Sequence, residues 1–347
     1  SLSSLPPLSL YIHFPWCVKK CPYCDFNSHQ VNDEQGSVGF PEEEYIAALR
    51  ADLENALPLI WGRKIMSIFI GGGTPSLMSA AGLDKLMSDI RALLPLDGAA
   101  EITMEANPGT FEVEKFKSYR QSGINRLSIG IQSFNGRHLQ ALGRIHDDGE
   151  ARRAVDIAQK TFDNFNLDLM YALPSQTLAE ARLDVVTAIA CAPPHLSLYH
   201  LTLEPNTYFA KYPPAVPDDD ASAEMQDMIA ELTKAAGYAH YEVSAYAQAD
   251  RQARHNLNYW QFGDYLGIGA GASSRTAKAL HDAPQGFLVQ AVLDGGAILE
   301  FELPSPVRVA TGEAGELPGV RNSRQLKRPS PSQPRTRKRR WTMFSSA

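Results

Sequence analysis

Up to residue 204 this chain alternates short apolar runs with helical patterns, and that alternation restricts the folds open to it more than any other feature. The runs are SLYIHF (9–14), MSIFIGG (66–72), EITMEAN (101–107), RLSIGIQS (126–133), FNLDLMYA (165–172) and HLSLYHLTLE (195–204). Rich in Ile, Leu, Val, Phe and Tyr, they read as buried strands. Between the first two, PEEEYIAALRADLENAL carries Pro41 at its start, acids in its first turn and Ile46, Leu49, Leu53 and Leu57 along one face. That is an amphipathic helix with a marked beginning. Six strands alternating with helices require parallel strands and crossover connections, which close into a barrel or lie open as a doubly wound sheet. Gly72, Gly73, Thr74, Glu105, Gln132 and Tyr171 all fall at strand C-terminal ends. A barrel, full or partial, gathers such ends at one mouth, and it is the expected architecture over residues 8–240.

Bulk composition agrees with a large α/β domain and excludes several alternatives. The 347 residues are 44% hydrophobic, enough for a sizeable core. Four cysteines, three of them clustered, do not make a disulfide framework, and a cytoplasmic protein with metal or redox chemistry is expected. The start, SLSSLPPLSL, lacks a basic leader region, and no apolar run approaches the roughly 20 residues of a membrane span. All 39 acids precede position 321, so residues 1–320 combine 24 bases with 39 acids, while the last 27 residues hold nine bases. An acidic main body argues against nucleic acid as a partner.

Beyond residue 204 the periodicity loosens. Residues 241–272, YEVSAYAQADRQARHNLNYWQFGDYLGIGAGA, concentrate aromatic, Asn, His and Gly residues and read as a site-building segment. Residues 273–347 form an atypical C-terminal region, with a basic, Pro/Ser-rich tail from about 321 that is expected to be disordered. The tail's charge suits solvation or peripheral contact with anionic membrane lipids.

The stretch Cys17-Val-Lys-Lys-Cys21-Pro-Tyr23-Cys24 raises a chemical question, because it places three thiols in one short loop with no fourth nearby. Three thiolates can hold three irons of a 4Fe-4S cluster and leave the fourth iron open. A small molecule bearing an amino and a carboxylate group could chelate there. The alternative is a zinc knuckle completed by His13 or His29, although the spacing is not the usual paired CxxC.

The CxxxCxxC loop, with Tyr23 before its last cysteine, resembles the signature of the radical S-adenosylmethionine superfamily. In order, YIHFPWC, GGGTPS, MEANPGT, SIGIQSF, LGRIHD, DLMYALPSQT and HNLNYWQFGDYLGIGAGA are similar to the oxygen-independent coproporphyrinogen oxidase family and its close relative, the HemW-type heme chaperones, over residues 8 to about 272. The resemblance implies that Cys17, Cys21 and Cys24 hold the cluster and that S-adenosylmethionine binds its open iron, where one electron breaks a carbon–sulfur bond of the cofactor. It places Tyr11 and Tyr23 beside the cofactor, and Gly72, Gly73 and Thr74 as a backbone cradle for the methionine amino group. Glu105, Gln132, Arg144 and Asp168 match the remaining polar contacts. Arg144 would grip the methionine carboxylate as a bidentate fork.

Two departures separate the chain from the oxidases: Phe26 stands where they continue Cys-x-Cys, and their longer N-terminal segment is absent. Both favour the chaperones, in which the HNLNYW segment implies heme ligation by His255, flanked by Tyr259 and Trp260. The expectation is therefore a heme chaperone that passes heme to an acceptor protein and draws on an electron donor for its cluster. The competing readings are a coproporphyrinogen III oxidase, which converts propionates to vinyls, and an electron-transfer or structural cluster protein. A purely structural cluster would need neither an open iron nor a glycine cradle. Departing from the family after GIGAGA, the C-terminal region shows none of the expected small helical domain.

Overall fold

A computed structural model describes residues 5–31, 39–60, 62–275, 288–293 and 297–302. Strand β1 (Leu8–Phe14) leads into β2 (Trp16–Cys17), which pairs in parallel with β3 (His29–Gln30). Helix α1 (Glu42–Ile60) then crosses to β4 (Ile65–Gly72), α2 (Ala80–Leu93) to β5 (Leu96–Ala106), and α3 (Val113–Gln121) to β6 (Arg126–Gln132). Next come α4 (Gly136–Ala141), α5 (Asp148–Thr161), β7 (Phe165–Tyr171), α6 (Leu178–Ala190) and β8 (His195–His200). Then follow α7 (Tyr208–Lys211), α8 (Asp219–Ala235), β9 (Ala239–His240), β10 (Ala245–Ala247), α9 (Arg254–Trp260) and β11 (Asp264–Ile268).

The main sheet runs β11-β1-β4-β5-β6-β7-β8-β10-β9. Its six crossover strands therefore lie side by side in chain order, with none of the reversal that a doubly wound sheet requires. β11 adds in parallel to β1 and β10 antiparallel to β8. Among the described residues the edge strands β11 and β9 do not pair with each other, so this is a partial barrel. The sequence pattern located all six crossover strands and missed the short edge strands. β11 is held by a buried ion pair, in which Arg63 donates to the Asp264 carboxylate at 2.6 Å.

Side chains alternate across a strand, so one face of each must meet the helices and the other the barrel interior. Leu8, Leu10, Ile12 and Phe14 of β1 face the helices, as do Ile68 and Ile70, Ile102 and Met104, Leu127, Ile129 and Ile131, Leu167 and Leu169, and Leu196 and Leu198 on the strands that follow. These pack against apolar helix faces such as Ile46, Leu49 and Leu53 of α1 and Ala151, Ala154, Val155 and Ala158 of α5. The intervening positions, Ser9, Tyr11 and His13, Ser67 and Phe69, Glu101, Thr103 and Glu105, Arg126 and Ser128, Asn166 and Asp168, and His195 and Ser197, line the interior and are mostly polar. The hydrophobic core is thus a shell outside the sheet.

Local signals set the helix starts. Asp147 caps α5 and exchanges bonds with Glu150, and Thr177 does the same with Glu180 for α6, so both helices begin on reciprocal capping boxes. No helix among the described residues is long and apolar enough to cross a membrane.

The chain divides into two units, Ser1–Thr276 and Ala277–Phe344. Of the second, the structure describes an antiparallel pair, β12 (Leu288–Leu293) and β13 (Ala297–Glu302), registered Leu288 to Glu302. The basic tail expected from about residue 321 lies outside the described residues.

The outer shell carries the stability of the barrel. Ile129→Ala, in the middle of β6 and fully buried, should cost about 2–5 kcal/mol in urea unfolding.

Candidate functional site

The cysteine loop is built by backbone bonds to its neighbours. Cys17 lies in β2, and its carbonyl accepts from Val31 N–H at 2.9 Å; the His29 N–H donates to Pro15 at 2.7 Å. Cys24 N–H closes a turn on the Cys21 carbonyl at 3.2 Å. Lys20 Nζ then ties the loop's far side, donating to the Phe26 and Ser28 carbonyls at 3.0 Å each.

The turn after β4 braces this loop from beneath. Gly73 N–H donates to the Phe14 carbonyl at 2.6 Å and Thr74 N–H to the Trp16 carbonyl at 2.7 Å. A Cβ on Gly73 would stand 2.4 Å from Trp16 O, so only glycine permits the approach. Gly72, at φ +114°, donates its N–H to Glu105 Oε2 at 3.1 Å. The donors of this turn are thus engaged within the protein. An ammonium group would have to use carbonyl oxygens of the turn and the Glu105 carboxylate.

Polar groups lie close to the thiols, Cys17 being buried and Cys21 and Cys24 partly buried. Burial pushes the Cys17 thiol up, an effect opposed by the Ser28 and Thr74 hydroxyls. Burial raises Cys24 as well, against the Phe26 N–H, and its sulfur sits 3.9 Å from Ser28 Oγ. Cys21 Sγ accepts from Arg144 NH1 at 3.6 Å. Tyr23, whose hydroxyl is raised by burial and by the nearby Cys21 sulfur, completes this corner.

Arg144 is the most demanding group in the mouth. Its NH2 donates to the Gly130 carbonyl at 2.9 Å and its NH1 to the Cys21 sulfur, Tyr23 also interacts with the guanidinium, and its buried Nε has no partner among the described residues. None of the ion pairs among the described residues supplies it with a carboxylate. A buried guanidinium in that condition is costly until an anion reaches it.

Two carboxyl groups share the mouth. The Glu105 carboxyl is pushed up to about 8 by burial and by neighbouring Asp168, against the Gly72 N–H. Asp168, raised by burial, accepts from Ser128 Oγ at 2.8 Å and from Asn166 Nδ2 at 2.7 Å. The Tyr11 hydroxyl is raised by burial and by Glu105 and is bonded to His13 Nδ1 at 2.9 Å. Gln132 ends β6 with φ +66°. The mouth therefore offers one uncompensated cation, two carboxyl groups and three thiols, a donor set that fits a zwitterionic amino acid group beside an iron–sulfur cluster.

Among the described residues no group of three or more His, Cys, Asp or Glu is gathered to hold a metal ion. A single tetrahedral ion needs ligand atoms roughly 4 Å apart, and a four-iron cube spreads its corner thiolates more widely. The three thiols do sense one another, Cys21 raising both Cys17 and Cys24. A cleft of about 520 Å³ opens beside the loop, lined by Lys19, Lys20, Cys21, Cys24, Asn206 and Tyr208 among others.

His255 is not brought to this mouth. It lies in α9, and its Nδ1 bonds Ser67 Oγ at 3.1 Å, while Ser67 in turn bonds Ser9 Oγ at 2.7 Å. Its ring packs 5.2 Å from Phe69 and is 1% exposed, with Nε2 unpaired. Burial and Arg126 push its pKa down to about 3. As placed, the ring offers no open face to a macrocycle. Trp260 and Phe262, at the end of the same segment, are exposed. His200 turns away from the interior and packs edge-on to Tyr171 at 5.3 Å.

Sequence reasoning passed over the interior residues below the mouth. Glu101 Oε1 accepts from Arg254 N–H at 2.9 Å and so caps α9, which has no side-chain cap of its own. Asn166 links Asp168 to His195 Nδ1 at 2.7 Å, and His195 Nε2 meets the Tyr241 hydroxyl at 2.8 Å. The signal for them was the strict polar–apolar alternation inside each strand, as in RLSIGIQ and HLSLYH.

Comparison with known proteins gives a consistent picture. Residues 11–185 match the family described as the Radical SAM superfamily. The chain is 52% identical over 295 residues to "Heme chaperone HemW" of Escherichia coli (strain K12), covering 82% of this chain and 76% of that protein. It is 37% identical over 270 residues to "Heme chaperone HemW" of Bacillus subtilis (strain 168), covering 76% and 70%. Among solved structures it resembles "Coproporphyrinogen III oxidase (HemN) from Escherichia coli is a Radical SAM enzyme", with TM-score 0.67 and 27% identity. That likeness covers 78% of this chain, which spans 65% of the oxidase's length.

Glu105 gives a pH signature. Its carboxyl ionises near the ordinary 4.5 in the unfolded chain and near 8 in the fold. Its contribution to stability is therefore full below pH about 4.5 and lost as pH rises through about 8. Glu105→Gln, which keeps the acceptor for Gly72, should be more stable than the parent at pH 8 by roughly 2–4 kcal/mol, and the gap should close towards pH 5. Denaturant melts at both pH values measure it; a variant less stable than the parent at pH 8 would contradict the assignment.

Proposed function

The chain belongs to the radical SAM superfamily and, within it, to the HemW family of heme chaperones, and on that premise we propose that it binds heme and hands it to an acceptor protein. We propose further that it carries a 4Fe-4S cluster on Cys17, Cys21 and Cys24, with S-adenosylmethionine at the open iron. The buried, carboxylate-free Arg144 beside Cys21 is the observation that carries the cofactor reading.

When bound, the cluster and S-adenosylmethionine supply one-electron reductive chemistry. Arg144 neutralises the methionine carboxylate, and Glu105 together with carbonyls of the Gly72–Thr74 turn receives the ammonium group. Asp168 and Gln132 are suited to the ribose hydroxyls, and Tyr11 and Tyr23 wall the pocket against water. An electron donor reaches the cysteines through the cleft lined by Lys19 and Lys20.

For heme, the proposed ligand is His255 through Nε2, which makes no hydrogen bond among the described residues. Ligation requires α9 to leave its seat against Glu101 and Ser67. Trp260 already stands at the surface of that helix and offers the macrocycle a flat apolar face. The oxidase reading is disfavoured by Phe26 in place of a further cysteine.

Three measurements test this. Anaerobic reconstitution of Cys21→Ala should lose most iron, sulfide and charge-transfer absorbance; full retention would remove Cys21 from the cluster. Arg144→Ala should weaken S-adenosylmethionine binding about ten- to a hundred-fold, read from perturbation of the cluster's magnetic resonance signal. Reconstituted protein should take up about one heme per chain, a stoichiometry that a single ligating histidine allows, and leave coproporphyrinogen III unchanged. His255→Ala should lose that uptake and keep the cluster. Heme uptake indifferent to His255 would keep the chaperone and move its ligand elsewhere, and turnover of coproporphyrinogen without heme uptake would replace the chaperone with the oxidase.

A further inference from the structure

Gln132 stands in the left-handed backbone region, at φ +66°, where a residue with a side chain is strained by roughly 1–3 kcal/mol. Strain of that size persists only where the surroundings leave the backbone no alternative. Downstream, Asp184 accepts from Ser133 Oγ at 2.6 Å and from Phe134 N–H at 2.8 Å, which anchors the chain leaving β6. Upstream, the Ile131 carbonyl, half of the peptide that joins Ile131 to Gln132, accepts from Ser133 N–H at 2.9 Å and from His146 Nε2 at 3.1 Å.

A carbonyl only accepts, so His146 must carry its proton on Nε2. The ring is 3% exposed, and burial, with Arg144 adding to it, pushes its pKa down to about 4, which keeps it neutral. His146 sits two residues beyond Arg144 and directly before Asp147, the capping residue of α5, so its backbone is held by a rigid helix start. The same loop sends Arg144 NH2 to the Gly130 carbonyl at 2.9 Å. Two side chains of one loop thus grip two consecutive carbonyls of β6, immediately before the strained glutamine. A Cβ built on Gly130 would lie 3.0 Å from Gln132 Nε2 and 3.4 Å from Arg144 NH2, so the amide and the guanidinium converge over the same residue.

We propose that His146 is a positioning residue for the cofactor pocket: its bond to the Ile131 carbonyl holds Gln132 in the left-handed conformation and fixes it relative to Arg144, so that amide and guanidinium meet one ligand together. The proposal rests on the reading of this mouth as the S-adenosylmethionine site. His146 itself touches no ligand. Without its bond, the Ile131 carbonyl keeps only the Ser133 N–H, the upstream side of the peptide loses its one side-chain anchor, and Gln132 relaxes towards a less strained backbone that carries its amide away from Arg144.

Glutamine places its Nε2 where histidine has Nε2, whereas asparagine reaches only as far as Nδ1. His146→Gln should therefore keep S-adenosylmethionine affinity within about two-fold of the parent, and His146→Asn should lose about ten-fold, the scale of one buried hydrogen bond. Both would be measured on reconstituted protein of matched iron content by perturbation of the cluster's magnetic resonance signal. In a Gln132→Gly background, where glycine carries no strain and no amide, His146→Asn should cause no further loss. Arg144→Ala is run in parallel. If it leaves affinity unchanged, the cofactor reading fails and the proposal falls with it. If it weakens binding while His146→Gln and His146→Asn bind alike, or if the Asn loss persists in full without Gln132, His146 is not a positioning residue and only the proposal is overturned.

Discussion

Burying a hydrogen-bonding or charged side chain costs several kcal/mol unless it is paired, and this barrel buries one at most inward positions of six parallel strands. The usual parallel barrel fills its interior with branched aliphatic residues. Here the aliphatic residues are all on the outer face under the helices, and the interior must be satisfied by its own polar groups. The chain of bonds from Tyr241 through His195, Asn166 and Ser128 to Asp168 is that solution on one side. Ser9, Ser67 and His255 provide it on the other. Such networks fix side-chain orientation, because a rotated member leaves its neighbours unpaired.

The polar column is closed at one end and open at the other, and the difference follows from what remains unsatisfied. At the floor, α9 lays His255 on the interior, and Glu101 secures the helix by its first N–H groups. At the mouth, among the described residues, Arg144 has no carboxylate partner, and the Glu105 carboxyl, raised to about 8 by burial, has no cation partner. An amino acid zwitterion satisfies both at once. This is why the site reads as a receptor for one even though its backbone donors are already engaged.

Those donors show a division of labour. Gly73 and Thr74 use their N–H groups to fasten the Phe14–Trp16 stretch that leads into the cysteine loop, while the Gly72 N–H holds Glu105. The Arg144–His146 loop does the corresponding work on β6. The two loops meet where Arg144 donates to the Cys21 sulfur, so the thiol loop and the Arg144 loop share one scaffold.

Much of this was legible in the chain because it is local. The CxxxCxxC spacing, the glycine turn after β4, the capping boxes of α5 and α6 and the strand ends at Glu105 and Gln132 each lie within a few residues of one another. The polar–apolar alternation that sets Glu101, Arg126, Asn166 and His195 on one face was equally local, although the sequence reading passed over those residues. What only the tertiary structure decided was which face that was, and what covers each end. A six-strand α/β pattern is compatible with a closed barrel or a doubly wound sheet, and the strand order settles it through contacts between residues far apart in sequence. His255 shows the same limit: the HNLNYW segment reads as a heme-site motif, but its position depends on Glu101, some 150 residues earlier, which accepts the first N–H groups of the helix, and on Ser67, which bonds the buried imidazole. Spacing along the chain determines which groups can act together, whereas burial and partner are set by long-range packing, which no local pattern encodes.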